Sequence, residues 1–233
     1  MPIILGVISP STFKRLIMTP VNNILADCDL LPKENVAAIA DYIDDKMMLE
    51  LNRSAERVSP NIHNPFATDF LNGRRAPASN MRLWGSLMGL KLSTDAGAIF
   101  RSLVEATSFA SKVIMDGVES AGLKIDKVIA TGGIAQKSPL AVQMVADVLN
   151  KEIEICSCKQ SGALGAAIFA AAAAGVYPDF RTAQRSMIHK NSKVYYPDTE
   201  SHKFLLERFG LYRRAVDYTE KVQEEFFNFD EID

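Results

Sequence analysis

Apolar positions along the chain fall into regular periods only from about residue 95 onward. The clearest helical stretch is 95–121, where Ile99, Leu103, Ala106, Ala110, Val113, Ile114 and Gly117 keep to one broad face, with Asp95 placed to cap the start and Gly122 to stop it. Val128, Ile129 and Ala130 follow as a short, continuous apolar run, the pattern of a strand in a sheet covered on both faces. A helix is expected over 139–149, then an alternating strand in Glu152-Ile153-Glu154-Ile155, then a helix over 162–174 that stops at Gly175. This order of strand, helix, strand, helix with short connections predicts an α/β layer with right-handed crossovers. Two surface helices are expected after it, over 180–190 and 200–224, the second carrying Phe204, Leu205, Phe209, Tyr212 and Val216. The acidic tail from Glu224 is expected to fray.

Before residue 95 the pattern is poorer, and prolines at 2, 10, 20, 32, 60, 65 and 77 punctuate it. Ile4 to Val7 and Phe13 to Met18 suggest two strands joined by Ser9-Pro10-Ser11-Thr12. Residues 33–57 have helical spacing in Val36, Ile39, Ala40, Ile43, Met47, Leu51 and Ala55, and a loop runs from Ser59 to Pro77. The expected organisation is an irregular N-terminal segment over 1–78, a main lobe over 79–224 and a tail over 225–233.

Composition narrows the classes. At 233 residues the chain can bury a substantial core, and its 48% hydrophobic and 23% charged residues are ordinary for a globular protein. A formal charge of -2 and the lack of a basic patch argue against a nucleic-acid partner. The cysteines, Cys28, Cys156 and Cys158, form no disulfide framework, and Cys156 and Cys158 read as structural thiols; His63, His189 and His202 are scattered, so no metal site is expected. There is no basic leader pattern, and the longest apolar run, Ala163 to Val176, falls short of the roughly 20 residues that span a bilayer. These features lead us to expect a soluble, cytoplasmic protein without a membrane partner.

Candidate chemistry centres on Thr131 to Leu149. Paired glycines at a strand end, Gly132 and Gly133, allow close backbone approach either to another chain segment or to a ligand. Six residues on, Ser138 is a favoured N-cap and Pro139 is favoured at the first helical position, so a positive helix end faces the strand tip. Gln143 and Asp147, four apart, share a helix face. A tight turn with no ligand remains as good a reading on local grounds. In Ser157 to Gly175 the small residues Gly162, Gly165, Ala163, Ala166, Ala167 and Ala170 leave a helix with little side-chain bulk, which suggests either close helix–sheet packing or, at its start, a second junction facing the same cleft. Gly132 and Ser161 are then expected at neighbouring strand ends. The loop Leu71-Asn72-Gly73-Arg74-Arg75-Ala76-Pro77 presents two arginines that could hold a phosphate or carboxylate, or be solvated or ion-paired. Neither a Rossmann fingerprint nor a Walker A motif is present.

Taken together, Leu71 to Pro77, Arg82 to Leu90, the long helix ending in Ala106-Thr107-Ser108-Phe109-Ala110-Ser111-Lys112-Val113-Ile114, Ala130 to Leu149 and Ser161 to Gly175 resemble the C-terminal half of FGGY-type carbohydrate kinases, most closely the L-ribulokinases. The similarity runs from about Phe70 to Tyr218. It implies an RNase H-like lobe of the actin and hexokinase superfamily, ATP with Mg2+ as cofactor, and a ketopentose as substrate of the intact enzymes. By the same resemblance Gly132 and Gly133 lie against the nucleotide, Ile134, Ala135 and Ser138 border the adenosine, and Gln143, with Asp147, supports them. The sugar pocket and catalytic aspartate of the family belong to an N-terminal lobe with no counterpart here, so no catalytic residue is assigned. The phosphate-holding Gly-Thr-Ser-Thr hairpin has as its nearest match the interrupted stretch Gly6 to Thr12, which includes Pro10. The expectation is therefore a truncated, nucleotide-binding lobe that is inactive alone and partnered by a second copy or by a separate N-terminal lobe. The alternatives are one subunit of a split kinase or a non-catalytic interaction domain.

Overall fold

A computed structural model of the chain describes residues 9–30, 32–158, 160–188 and 193–229. Two compact units divide them: one over 118–202, the other over the described residues of 6–117 together with those from 203 onward.

The second unit is mostly helical. Helices α1 (Ser9–Ala26) and α2 (Lys33–Arg57) pack together, with Lys14 Nζ donating to Asp44 Oδ2 at 2.9 Å. The strand expected over Phe13 to Met18 is thus helical, and its expected partner, Ile4 to Val7, lies outside the described residues. The reason lies in the period: Phe13, Ile17, Met18, Val21 and Leu25 turn inward at helical intervals, while Pro10 occupies the first turn, where its missing N–H costs nothing. The described residues of 9–78 therefore contain two long helices, of which α2 falls on the helical spacing read over 33–57. Strands β1 (Phe66–Ala67) and β2 (Leu87–Met88) form a small antiparallel pair beyond α2.

Helix α3 (Ala96–Ser120) supplies much of this unit's core, through Phe100, Leu103, Val104, Ala106 and Phe109. It starts as expected, with Asp95 Oδ1 accepting from the Ala98 N–H at 2.8 Å. Gly97 lets α3 approach α2: a Cβ there would sit 2.8 Å from Ser54. Helix α8 (Thr199–Phe229) packs Phe209 and Tyr212 against Phe109 at tilted angles, with ring centroids 5.7 and 5.4 Å away. It runs well past Glu224, so the first part of the expected frayed tail is helical.

The first unit carries a three-stranded sheet in the order β3–β4–β5. Strands β3 (Val128–Ala130) and β4 (Ile153–Ile155) are parallel, pairing Val128 with Ile153 and Ala130 with Ile155; β5 (Lys193–Tyr195) runs antiparallel to β4. Helices α4 (Gly133–Lys137) and α5 (Pro139–Leu149) connect β3 to β4, and α6 (Ser161–Ala173) and α7 (Phe180–Met187) pack on each other after β4. The order strand, helix, strand, helix is as the sequence predicts, and α5 and α6 fall within a residue of their expected limits. Two expectations fail. Ile129 on β3 is 46% exposed, so the sheet is not covered on both faces, and the glycines of α6 are not points of close packing: a Cβ on Gly162 or Gly165 would meet no atom within 4 Å.

Candidate functional site at the strand ends

Both strand-to-helix junctions open at the carboxyl ends of β3 and β4, where ligands of open α/β sheets collect. Thr131 and Ser161, which follow β3 and open α6, meet there: Thr131 Oγ1 donates to Ser161 Oγ at 2.7 Å. The ladder continues one residue past β4, with the Cys156 N–H donating to the Ala130 carbonyl at 2.9 Å, and Gln136 Nε2 donates across the gap to the Cys158 carbonyl at 3.3 Å. Gly132 and Ser161 thus stand at neighbouring strand ends.

The paired glycines have different causes. Gly132 leaves β3 at φ +94° and ψ 178°, a conformation open to glycine and strained for other residues. Gly133 begins α4 with its Cα face bare: a Cβ on either glycine would meet no heavy atom within 4 Å. The tight-packing reading of the pair therefore has no neighbour to support it, and the space beside Gly133 is open.

Residues 132–135 lie contiguously along this opening, Ile134 and Ala135 being half-buried. Ser138 is set apart from them: it is buried and caps α5, its Oγ accepting from the Ala141 N–H at 3.3 Å. Gln143 is set further back, its amide nitrogen donating to Asp147 Oδ1 and to the Tyr196 carbonyl, both at 2.8 Å. Asp147 also accepts from the Asp198 N–H at 2.8 Å, and its carbonyl lies 2.7 Å from His202 Nδ1. Burial raises the Asp147 carboxyl above the usual carboxylate range, opposed by the bonds from Asp198 and Gln143. These residues tie α5 to the chain after β5.

The free helix end belongs to α6, not α5. Its N-cap, Gln160, makes no side-chain cap bond, so the first N–H groups of α6 lack that partner. Ser161 was expected beside Gly132 at these strand ends; its bond with Thr131 was not foreseen, although a Thr beside one glycine pair and a Ser beside a later glycine were its signal. Arg74 of the other unit is already engaged: it pairs with Glu220, and its Nε donates to the Ala78 carbonyl at 2.8 Å. Of Gly6 to Thr12, Gly6 to Ile8 fall outside the described residues and Ser9 to Thr12 are helical, so the Ser9 to Thr12 part forms no hairpin.

Comparison with known proteins bears on what opens here. Residues 24–174 match the model of the FGGY family of carbohydrate kinases, C-terminal domain. The chain belongs to that family. Among curated relatives, a ribulokinase from Vibrio parahaemolyticus is 38% identical over 91% of this chain and 36% of its own length, and one from Shouchella clausii is 33% identical over 72% of this chain and 31% of its own. This FGGY chain therefore spans about a third of those relatives. Among solved structures, xylulose kinase from Lactobacillus acidophilus aligns with TM-score 0.68 and 24% identity over 78% of this chain and 36% of its own. Gluconate kinase from the same organism aligns with TM-score 0.67 and 21% identity over 91% of this chain and 39% of its own. At that identity the likeness speaks to fold, which is that of the C-terminal lobe of FGGY sugar kinases. Among the described residues no helix is long and apolar enough to cross a membrane.

Proposed function

We propose that this chain is the nucleotide-binding lobe of a ribulokinase-like sugar kinase, and that ATP sits at the carboxyl ends of β3 and β4. The observation that carries the reading is the bare space beside Gly133 and Gly162, at two junctions joined by the Thr131–Ser161 hydrogen bond. Gly132 and Gly133 would approach the phosphates through their backbone, Ile134 and Ala135 would border the adenosine, and the first turn of α6 would face negative charge. Ser138 and Gln143 would act by holding α5 in place, since their polar atoms are bonded within the chain.

The residues present fit a nucleotide better than a metal. Among the described residues no three His, Cys, Asp or Glu side chains gather into a metal site, so Mg2+ would be held by the phosphates it accompanies. ATP supplies the transferable phosphoryl group; this chain's part is to bind and orient it. A ketopentose would be bound only where a second lobe is supplied, by a separate chain or by a longer form of this one.

The test is thermal melting with and without MgATP. A ligand that binds only the folded state stabilises it by about 2.7 kcal/mol at a hundredfold excess over its Kd, which should appear as a rise of several degrees. No rise at millimolar MgATP would favour the second reading, a non-catalytic interaction domain. The exposed apolar surface on α6 is what favours that alternative.

A further inference from the structure

We propose that Cys156 and Cys158 are a redox-sensitive dithiol, closing reversibly into an intrachain disulfide where β4 gives way to α6. Exposure is the first observation. The sequence reads both as structural thiols, and such thiols are buried and inert. The strand before them does sink into the core, Ile153 being 1% and Ile155 5% exposed, yet both cysteines are free and only half-buried. Partial access is what a thiol needs to meet a small disulfide.

Spacing is the second observation. Two steps along a fully extended chain span at most about 7 Å, and disulfides bridge Cα atoms about 4.4–6.8 Å apart. The chain bends at Ser157, between the two cysteines, which brings their Cα atoms closer than full extension would. No distant element has to move for them to join. A metal suits the pair less well: structural thiolate sites hold zinc through four ligands, and among the described residues no three His, Cys, Asp or Glu side chains gather.

The segment that would close also carries a link to the strand-end junction. The Cys156 N–H is held by the Ala130 carbonyl at 2.9 Å, while the Cys158 carbonyl accepts from Gln136 Nε2 of α4 at 3.3 Å. The ladder bond fixes Cys156, so closing the ring draws Cys158 toward it. The Cys158 carbonyl moves with its Cα, and Gln136 loses its acceptor. A ring this small is strained, hence readily reduced, and disulfides of reducing compartments are of this transient kind.

The oxidant is a low-molecular-weight disulfide, oxidised glutathione. One cysteine thiolate attacks its S–S bond, which forms a mixed disulfide and releases one glutathione thiolate. The other cysteine thiolate then attacks the protein sulfur of that bond, forming the Cys156–Cys158 bond and releasing the second glutathione thiolate. The two protons given up by the cysteines end on the two glutathiones. The closing step is intramolecular, and excess reduced glutathione reverses both steps.

The experiment equilibrates the full chain in glutathione buffers from reduced to oxidised, then blocks free thiols and digests with trypsin. The peptide 152–159 holds both cysteines. In oxidised buffer it should be unblocked and lighter by two hydrogens, and excess reduced glutathione should restore both thiols. Cys156→Ser and Cys158→Ser should each stop at the glutathione adduct; if either misfolds, the alanine variant serves in its stead. In the same series the side-chain amide resonances of Gln136 should shift toward those of a water-bonded amide as the disulfide forms, and return on reduction. Two blocked thiols at every ratio, a wild-type peptide that ends as glutathione adducts or as links between two chains, or a disulfide that leaves Gln136 unmoved would each overturn the proposal. None of these readouts needs nucleotide, so MgATP melting judges that reading separately.

Discussion

At residue 132 a Cβ would have room but the wrong backbone, whereas at residue 133 it would have both room and an ordinary helical backbone. Gly132→Ala should therefore cost about 1–3 kcal/mol in a urea melt, since φ of +94° is strained for any side chain. Gly133→Val should change stability by less than about 1 kcal/mol, because nothing is displaced. It should nevertheless remove the rise in melting temperature with MgATP, because the branched side chain fills the proposed ligand space. Equal losses of stability and binding in Gly133→Val would contradict the ligand reading. Asp69 gives a pH prediction in the other unit. Burial lifts its carboxyl to about 6, against the hydrogen bond donated by Tyr212 Oη at 3.1 Å, and the phenol is itself pushed above its usual range by burial. The folded state holds this proton more tightly than the unfolded chain does. The stability from Asp69 is thus full below about pH 3.8 and is lost as pH rises to about 6, with a slope of up to roughly 1.4 kcal/mol per pH unit. Urea melts of wild type and Asp69→Asn between pH 4 and 7 should differ by that slope, and parallel curves would show that Asp69 titrates normally.

Among the elements, helices were far more legible in the sequence than strands. α3 and α5 declare themselves through caps and a 3.6-residue period, α2 through the period, and α6 through a long apolar run that ends at Gly175, signals that run over many residues. β1, β2 and β5 are only two or three residues long, too short for an alternation to register, although Val194 and Tyr195 flanked by Pro197 were a weak cue for β5. Pro20 misled for a different reason: it sits inside α1, where proline is normally excluded, so the segment read as broken. The site was legible as a strand–glycine–glycine–helix order, but which helix end stays uncapped depends on where Ser138 Oγ points, and order alone does not reveal that. Nor could spacing foresee Arg208 of α8. Its guanidinium is buried with Glu105, the Nη2–Oε2 distance being 2.6 Å, and it donates to the carbonyls of Asn61, Ile62, Asn64 and Pro65. Arg208→Met should cost about 3 kcal/mol, because it leaves Glu105 with Arg101 alone, whose Nε lies 3.3 Å from Oε1, and leaves four carbonyls short of a donor. Denaturant melting would show this, and a loss under about 1 kcal/mol would mean that water replaces the guanidinium.

For the whole molecule the decisive quantity is how much of a phosphoryl transfer one lobe can support. In the proposed arrangement the chain holds ATP at the ends of β3 and β4, but no part of it has been assigned to fix a sugar hydroxyl in line with the γ-phosphate. Positioning and electrostatic stabilisation supply most of the rate in such transfers. A missing general base costs about 10²- to 10⁴-fold, and lost positioning as much as about 10⁵-fold or more. The purified chain should accordingly bind MgATP without consuming it faster when L-ribulose is added. An ATP-consumption assay over a panel of ketopentoses checks this, run first on the chain alone and then on its complex with the part of the Vibrio parahaemolyticus ribulokinase that has no counterpart in it. Activity that appears only in the complex would mark the chain as one part of a split kinase, and a complex without activity would point to an interaction domain. Turnover by the chain alone, dependent on sugar, would mean that the acceptor site lies within these 233 residues, and the assignment of a lone nucleotide lobe would fall.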